Sequence, residues 1–121
     1  MRKLETIQTK ENLNEVYAAD EKGKGNANHI YMIKSCDGID KIIPHAIYFQ
    51  NGARKDDNAT HGITDQDLLE IVRDRMKGFQ SGDFACEYNE KALEHIEQAL
   101  YWLNKRVEDR VERGVLGTYE K

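Results

Sequence analysis

The chain has 121 residues, of which 39% are hydrophobic and 33% charged, which is typical of a globular protein rather than a disordered segment. This length fits one domain, or two small modules that share one core. Its net charge of −4 argues against DNA as a partner, because binding to a long polyanion depends on clustered Lys and Arg. A small anion can still bind at a local basic cluster. Residues 1–10 contain no apolar signal core, and no run of 18 apolar residues follows, so we expect a cytosolic protein that does not contact membranes.

The cysteines and histidines show no spacing of a metal site. Cys36 and Cys86 lie far apart and form no C-x-x-C pair, and the four histidines are scattered. We therefore predict two free, buried thiols, with a disulfide between them as the alternative, no metal ion and no cofactor.

The amino-terminal half has strand and turn signals. Runs rich in β-formers cover residues 29–35 and 41–49, and the Asp37-Gly38 pair between them favours a hairpin turn. Pro44 lacks an N–H group, so the strand that contains it must be an edge strand or carry a bulge. With the short apolar run at residues 16–18, these signals predict a small antiparallel sheet of three or four strands, followed by a polar loop.

The carboxyl-terminal half has helical spacing. Thr64 and Asp67 form the pattern of a capping box, and apolar residues recur at helical intervals from there to Phe79. A second helix is predicted from about Cys86 to Arg113, with a near-heptad apolar seam. The fold class is therefore α+β, with a β-rich region and loop at residues 1–62 and an antiparallel two-helix hairpin at residues 63–121.

The two predicted helices differ in length. At 1.5 Å per residue, the first spans about 24 Å and the second about 40 Å. About ten residues of the second helix, from Leu103 onward, should therefore extend past the first. Their apolar seam needs a cover, which we expect the amino-terminal sheet or a second subunit to supply.

Three arginines lie on one side of this extension, within a sector about 60° wide that borders the apolar seam. They are Arg106, Arg110 and Arg113. Such a row suits bidentate binding of phosphate oxygens beside a wall that excludes water. The alternative is salt bridges with carboxylates, either Glu70 and Asp74 on the first helix or Asp109, one turn before Arg113.

Two residues near the predicted bend also have two interpretations. Phe79 continues the apolar stripe of the first helix, which favours core packing, but its place at the bend also suits a surface that holds a ligand. Asn89 projects onto the seam of the second helix, where a buried amide needs partners. It can satisfy local backbone or bind a polar ligand edge. No phosphate loop, dinucleotide fingerprint or Ser/His/Asp arrangement occurs, so we do not expect an enzyme.

The stretch "FQNG" at residues 49–52 and the whole of residues 62–121 resemble a known family. The segments "DRMKGFQSGDFAC" and "ALYWLNKR" carry most of the likeness. They resemble the helical-hairpin domain of phage anti-Thoeris sponge proteins, a domain that also occurs in anti-CBASS cyclic-nucleotide sponges.

The resemblance implies a non-enzymatic function in the cytoplasm of an infected bacterium. Such proteins bind cyclic ADP-ribose isomers made by TIR-domain sensors and hold them intact, so that the defence effector receives no signal. Some members also bind cyclic di- or trinucleotides at a separate site, and many assemble as hexamers. Transferred to this sequence, the expected ligand contacts are Phe79, Asn89, Arg106, Arg110 and Arg54, with Phe84 and Arg113 as weaker candidates.

Helix geometry adds a prediction about assembly. Asn89 and Arg106 are 17 residues apart on one helix, which is about 25 Å, or roughly twice the size of a cyclic ADP-ribose. If both contact one ligand, the bend of one chain must meet the arginines of another, giving a homodimer with two equivalent interfacial sites.

Two other functions compete with this prediction. The hairpin could serve only as an interaction and oligomerisation element, with no nucleotide bound. Hydrolysis of cyclic nucleotides is less favoured, because His95 lies about 16 Å from Arg106 along the helix.

Overall fold

A computed structural model describes residues 1–36 and 44–121 of the chain. The strands are β1 (Arg2–Lys3), β2 (Asn14–Ala18), β3 (Ile30–Ser35) and β4 (His45–Tyr48), and the helices are α1 (Asp65–Gln80) and α2 (Glu87–Glu112). This confirms the predicted α+β class. The described chain forms two compact units, one from residues 1–52 and 58–62, the other from residues 53–57 and 63–121. Residues 53–57 therefore lie with the helices, although they precede the predicted boundary.

The strands form an antiparallel sheet in the order β1-β2-β3-β4. Val16 pairs with Ile33, which pairs in turn with His45. Pro44 directly precedes β4, which lies at an edge of the sheet, as a residue without an N–H group requires. The predicted Asp37-Gly38 turn and positions 41–43 of the predicted last strand fall outside the described residues.

A polar cluster joins the start of the chain to the segment between β2 and β3. Arg2 donates to the side-chain oxygen of Asn28 at 2.9 Å, and Asn28 donates to the Asp20 carboxylate at 3.1 Å. Desolvation raises the pKa of Asp20, but hydrogen bonds from Asn28 and from the backbone N–H of His29 outweigh it and leave that pKa below its ordinary value. The cluster fixes the amino terminus against the sheet.

The start of α1 matches its prediction. The Thr64 hydroxyl accepts from the Asp67 N–H at 3.3 Å, and the Asp67 carboxylate accepts from the Thr64 N–H at 2.9 Å. This is a complete capping box, which satisfies two of the N–H groups that have no partner within a helix.

The end of α2 has the form of a Schellman motif. Gly114 adopts a φ of +70°, which favours glycine, and its N–H donates to the Val111 carbonyl at 3.0 Å. The Val115 N–H donates to the Arg110 carbonyl at 3.0 Å. The predicted stop at Gly114 is confirmed, and Arg110 supplies one of the two closing acceptors.

The two helices pack as an antiparallel hairpin. Arg73 of α1 forms an ion pair with Glu97 of α2, with Nε and Oε2 2.8 Å apart. Extending this register places Gln80 beside Glu90 and Asp65 beside Lys105. The extra length of α2 is therefore divided between the two ends, and the predicted extension from Leu103 onward was too long. At the carboxyl end of α2, only residues 106–112 extend beyond Asp65, the first residue of α1.

Little of the hairpin is buried within one chain. In α1 and α2, both fully described, the only buried residue is Arg110. Trp102 is 69% exposed and Ile71 58% exposed, although both are large and apolar. Cys86 is exposed and Cys36 half-buried, so the predicted thiols are free but not buried. A helix pair with so much exposed apolar surface is suited to pack against another chain.

Candidate functional site

The predicted aromatic residues of the bend are accessible. Phe79 is 37% exposed and Phe84 is 78% exposed. The interpretation of Phe79 as a core residue is therefore wrong. It lies in the last turn of α1, about 90° around the helix from the half-buried residues Leu69, Arg73 and Met76, so its ring is not on the face that packs against α2.

Side-chain hydrogen bonds hold the bend in shape. The Gln80 amide accepts from the Cys86 N–H at 3.0 Å and donates to the Cys86 carbonyl at 3.2 Å. The Ser81 hydroxyl donates to the Gly78 carbonyl at 2.7 Å. These contacts replace the side-chain cap that α2 lacks at Cys86. The rings at the bend are therefore presented by an ordered connection.

Asn89 lies at the same end and is half-buried. Its Nδ2 donates to the Phe84 carbonyl at 3.4 Å, a long contact. Asn89 therefore does bond to local backbone, as one of its two interpretations predicts, but through a single weak hydrogen bond. We refer to Phe79, Phe84 and Asn89 as the bend cluster.

Arg75 lies next to the bend cluster and was not predicted from the sequence as a site residue. Its guanidinium lies over the Phe79 ring, 5.4 Å from the centroid, a distance at which cation–π attraction operates. The i, i+4 spacing of Arg75 and Phe79 could have indicated this pair from sequence. The pair places a positive charge next to an exposed ring.

At the opposite end of α2, Arg110 is engaged inside its own chain. It is 7% exposed, and its guanidinium donates to the carbonyls of Glu120, Val115 and Thr118 at 2.7, 2.9 and 3.1 Å. Neither of the two predicted environments, a phosphate or a carboxylate, describes it. The residues after the helix, here called the C-terminal tail (residues 115–121), supply its partners instead.

Arg113 and Arg106 differ from each other. Arg113 pairs with Asp109, with Nε and Oδ2 3.0 Å apart, which confirms the i, i+4 alternative. Glu70 pairs with Arg73 of its own helix, so the predicted pairing of Glu70 with the α2 arginines is wrong. Arg106 is exposed and makes no hydrogen bond or ion pair with any residue in the described ranges 1–36 and 44–121.

Arg54 lies in the segment that packs against the C-terminal tail. The N–H of its neighbour Lys55 donates to the Gly117 carbonyl at 3.0 Å, and Tyr119 donates to the Asp56 carboxylate at 2.8 Å. These contacts bring Arg54, which is exposed, to the tail that Arg110 holds. We refer to Arg54, Arg106, Arg110 and Arg113 as the arginine end.

The structure thus separates the predicted site residues into two groups. The bend cluster lies where α1 meets α2, and the arginine end lies where α2 meets the C-terminal tail. Along α2, Asn89 and Arg106 are about 25 Å apart, as helix geometry predicts. One chain cannot place both groups around one small ligand.

Two other kinds of site are absent from the described residues. Within residues 1–36 and 44–121, no three His, Cys, Asp or Glu side chains lie close enough together to hold a metal ion. None of the helices in the same ranges is long and apolar enough to cross a membrane.

The fold and these two groups define a small α+β protein built on a helical hairpin with an aromatic and a cationic end. The model of the family described as "Acb2/Tad1, hairpin domain" matches residues 41–108, more than half of the chain. The chain therefore belongs to this family. It is also 42% identical over 65 residues to "Thoeris anti-defense 1" of Bacillus phage SBSphiJ7.

The match to the phage protein is partial. It covers 54% of this chain and 46% of the relative, so the chain spans about half the length of that protein.

Proposed function

We propose that the protein binds cyclic ADP-ribose isomers and holds them intact, so that the Thoeris defence of an infected bacterium receives no signal. Membership of the hairpin family and the likeness to a phage protein named Thoeris anti-defense 1 support an anti-Thoeris function. The ligand would be a signal made by TIR-domain proteins in the cytoplasm of the host. Its chemistry, an adenine joined to a pyrophosphate, matches the aromatic and cationic ends of the hairpin.

The observation that carries the proposal is the state of Arg106. It lies on a helix with many carboxylates, yet it makes no ion pair within the described residues, whereas Arg113 does. An exposed guanidinium without an internal partner is free to bind a pyrophosphate through two parallel N–H donors.

The exposed side of α2 supports a second copy of the chain as part of the site. An acid-free stripe runs along this side, within a sector about 80° wide that is centred about 100° around the helix from the seam that faces α1. Between residues 88 and 106 its members are all exposed: Tyr88, Ala92, His95, Ala99, Trp102 and Arg106. The two alanines allow another helix to approach closely, and the absence of carboxylates removes like-charge repulsion between two copies.

A dimer formed through this stripe would bring the arginine end of one chain next to the bend cluster of the other. With a two-fold axis between Ala92 and Ala99, residue i of one α2 lies beside residue 191 − i of the other. Arg106 then lies beside residue 85 of the partner, next to Phe84 of the bend cluster, and Trp102 lies beside the partner's Asn89. The two-fold axis gives two equivalent sites.

Each group would have a distinct role in such a site. Phe79 would stack on the adenine, and Asn89 would bond a polar edge of the base or a ribose. Arg106 would bind the pyrophosphate, and Arg54 would close over it. Phe84 would add apolar surface. These roles require binding and exclusion of water, and none of them breaks a bond.

The direct test is titration calorimetry with a panel of cyclic ADP-ribose isomers, cyclic dinucleotides and cyclic trinucleotides. We expect tight binding of at least one cyclic ADP-ribose isomer, and heating the complex should release it unchanged. Recovery of a linear product would replace sequestration by hydrolysis. No binding of any cyclic ADP-ribose isomer would contradict the proposal.

The same panel, with light scattering, tests the finer proposals. Cyclic di- or trinucleotides that bind without displacing the cyclic ADP-ribose isomer would indicate a separate site. We propose that the dimers assemble further into a hexamer, which the measured mass would show.

A second candidate function is assembly of the hairpin without a nucleotide. The Arg113–Asp109 pair and the exposed Trp102 favour it, since both suit a helix that only packs against partners. It predicts no rise in melting temperature with any member of the panel, whereas ligand binding to the folded state alone would raise it.

A further inference from the structure

Arg110 lies in the arginine end, but its surroundings differ from those of a ligand-binding arginine. Its guanidinium donates to three backbone carbonyls of the C-terminal tail and is almost fully enclosed. We propose that Arg110 is a positioning residue: it fixes the C-terminal tail, and the tail fixes residues 53–57, which carry Arg54 to the ligand. This inference rests on the proposed function.

Arg110 contacts the C-terminal tail through hydrogen bonds of both its backbone and its side chain. Its own carbonyl accepts the Val115 N–H at 3.0 Å, in the Schellman motif, while its guanidinium reaches Val115, Thr118 and Glu120. A buried cation satisfied by carbonyl groups is costly to leave unpaired, so the tail and the arginine stabilise each other. A guanidinium engaged in this way has few donors left for a pyrophosphate.

The tail makes an equally close junction with residues 53–57. The Gly117 carbonyl accepts from the Lys55 N–H at 3.0 Å, and the Tyr119 hydroxyl donates to the Asp56 carboxylate at 2.8 Å. Gly117 has a φ of +77°, and a Cβ there would lie 3.2 Å from Cγ of Lys55 and 3.6 Å from Cβ of Arg54. The backbone beside Arg54 thus rests directly on a tail whose course is set by Arg110.

Amide hydrogen exchange tests the positioning without any ligand. The reporter is the Lys55 N–H, whose acceptor is the Gly117 carbonyl. We expect Arg110→Ala to raise the exchange rate of Lys55 by about tenfold or more, because the tail no longer has its anchor. The matched control is Arg106→Ala, which removes an arginine about one turn away that has no internal partner, and should leave Lys55 unchanged.

Tyr119→Phe provides a milder variant that keeps Arg110 and the tail. It removes one hydroxyl from the junction, so the exchange of Lys55 should rise by a smaller factor. Unchanged exchange of Lys55 in Arg110→Ala would overturn the positioning role, whether or not the protein binds a nucleotide.

A binding cycle tests the consequence for the ligand. The variants are Arg110→Ala, a chain that ends at Gly114, and the two changes combined, each titrated with the cyclic ADP-ribose isomer that the wild type binds. If Arg110 acts through the tail, each single change weakens binding by about tenfold or more, and the combination is no worse than the larger single loss. Circular dichroism checks that the helices persist.

The other outcomes are distinct. A tailless chain that binds like the wild type, or losses that multiply in the combined variant, would assign Arg110 to direct ligand contact and overturn the inference. A wild type that binds no isomer would remove the proposed function, and the exchange of Lys55 would then decide the positioning role alone.

Discussion

The two ends of the hairpin solve the placement of functional side chains differently. At the bend, hydrogen bonds of Gln80 and Ser81 fix a six-residue connection between the helices. The rings of Phe79 and Phe84 there are exposed. At the arginine end, the C-terminal tail folds back and its carbonyl groups accept hydrogen bonds from Arg110, while Asp109 forms an ion pair with Arg113. Arg106 alone of the three helix arginines lacks an internal partner in the described residues.

The difference shows that a row of like residues need not share one function. Arg106, Arg110 and Arg113 occupy one sector of α2, yet one is exposed, one is buried among carbonyls and one is paired with a carboxylate. The bend offers rings and an amide but lacks a comparable row of cations. Neither end alone supplies what a base joined to a pyrophosphate needs.

The largest effect should come from Arg106→Ala. Loss of the guanidinium leaves a pyrophosphate charge without its partner, which should weaken ligand binding by about 2–4 kcal/mol. Titration calorimetry measures the loss, and the melting temperature of the free protein should stay unchanged because Arg106 has no internal contact to lose. Affinity equal to wild type would remove Arg106 from the site.

Phe79→Ala should have the next largest effect. Loss of stacking between an aromatic side chain and a base costs about 1–3 kcal/mol of binding. Phe79→Tyr is the matched control, because it keeps the ring, and it should bind nearly as well as the wild type. Equal losses in the two variants would show that stacking is not the role of this ring.

Asn89→Ala should weaken binding less. A hydrogen bond between neutral groups contributes about 0.5–1.5 kcal/mol, and Asn89 makes only a long internal bond that competes with a ligand. The change in affinity should exceed any change in the free energy of unfolding. The reverse order would mean that Asn89 serves the bend and not the ligand.

The smallest effect is expected from Arg113→Ala. Its side chain is 43% exposed and already paired with Asp109, so removal should cost about 1 kcal/mol or less in both stability and binding. A loss in binding as large as that of Arg106→Ala would show that the Asp109 pair opens when ligand binds, and would make the two arginines equivalent.

Much of the fold could be predicted because its signals are local. The capping box at Thr64, the stop at Gly114 and the edge position that follows Pro44 each depend on a few neighbouring residues. The extent of helix overlap could not be predicted in the same way. It depends on the register of Arg73 against Glu97, a contact between residues far apart in sequence.

The sequence predicted which residues belong to the candidate site better than it predicted what each residue does there. Sequence spacing placed the arginines on one face, but the environment of Arg110 depends on how residues 115–121 fold back, which no periodic pattern encodes. The exposure of Phe79 was missed for a related reason: it continues the apolar stripe, but the face of α1 that packs against α2 includes Arg73 and Gln80 and lies about 90° around the helix from Phe79.

The most direct measurement is complementation between two inactive chains, one carrying Phe79→Ala with Asn89→Ala and the other Arg106→Ala, unfolded and refolded together. In a two-fold dimer, each mixed pair holds one site with no substitution, so the mixture should bind at wild-type affinity with about a quarter of wild-type capacity. No recovery of binding in a mixture shown to contain mixed dimers would place the ligand within a single subunit and contradict the account.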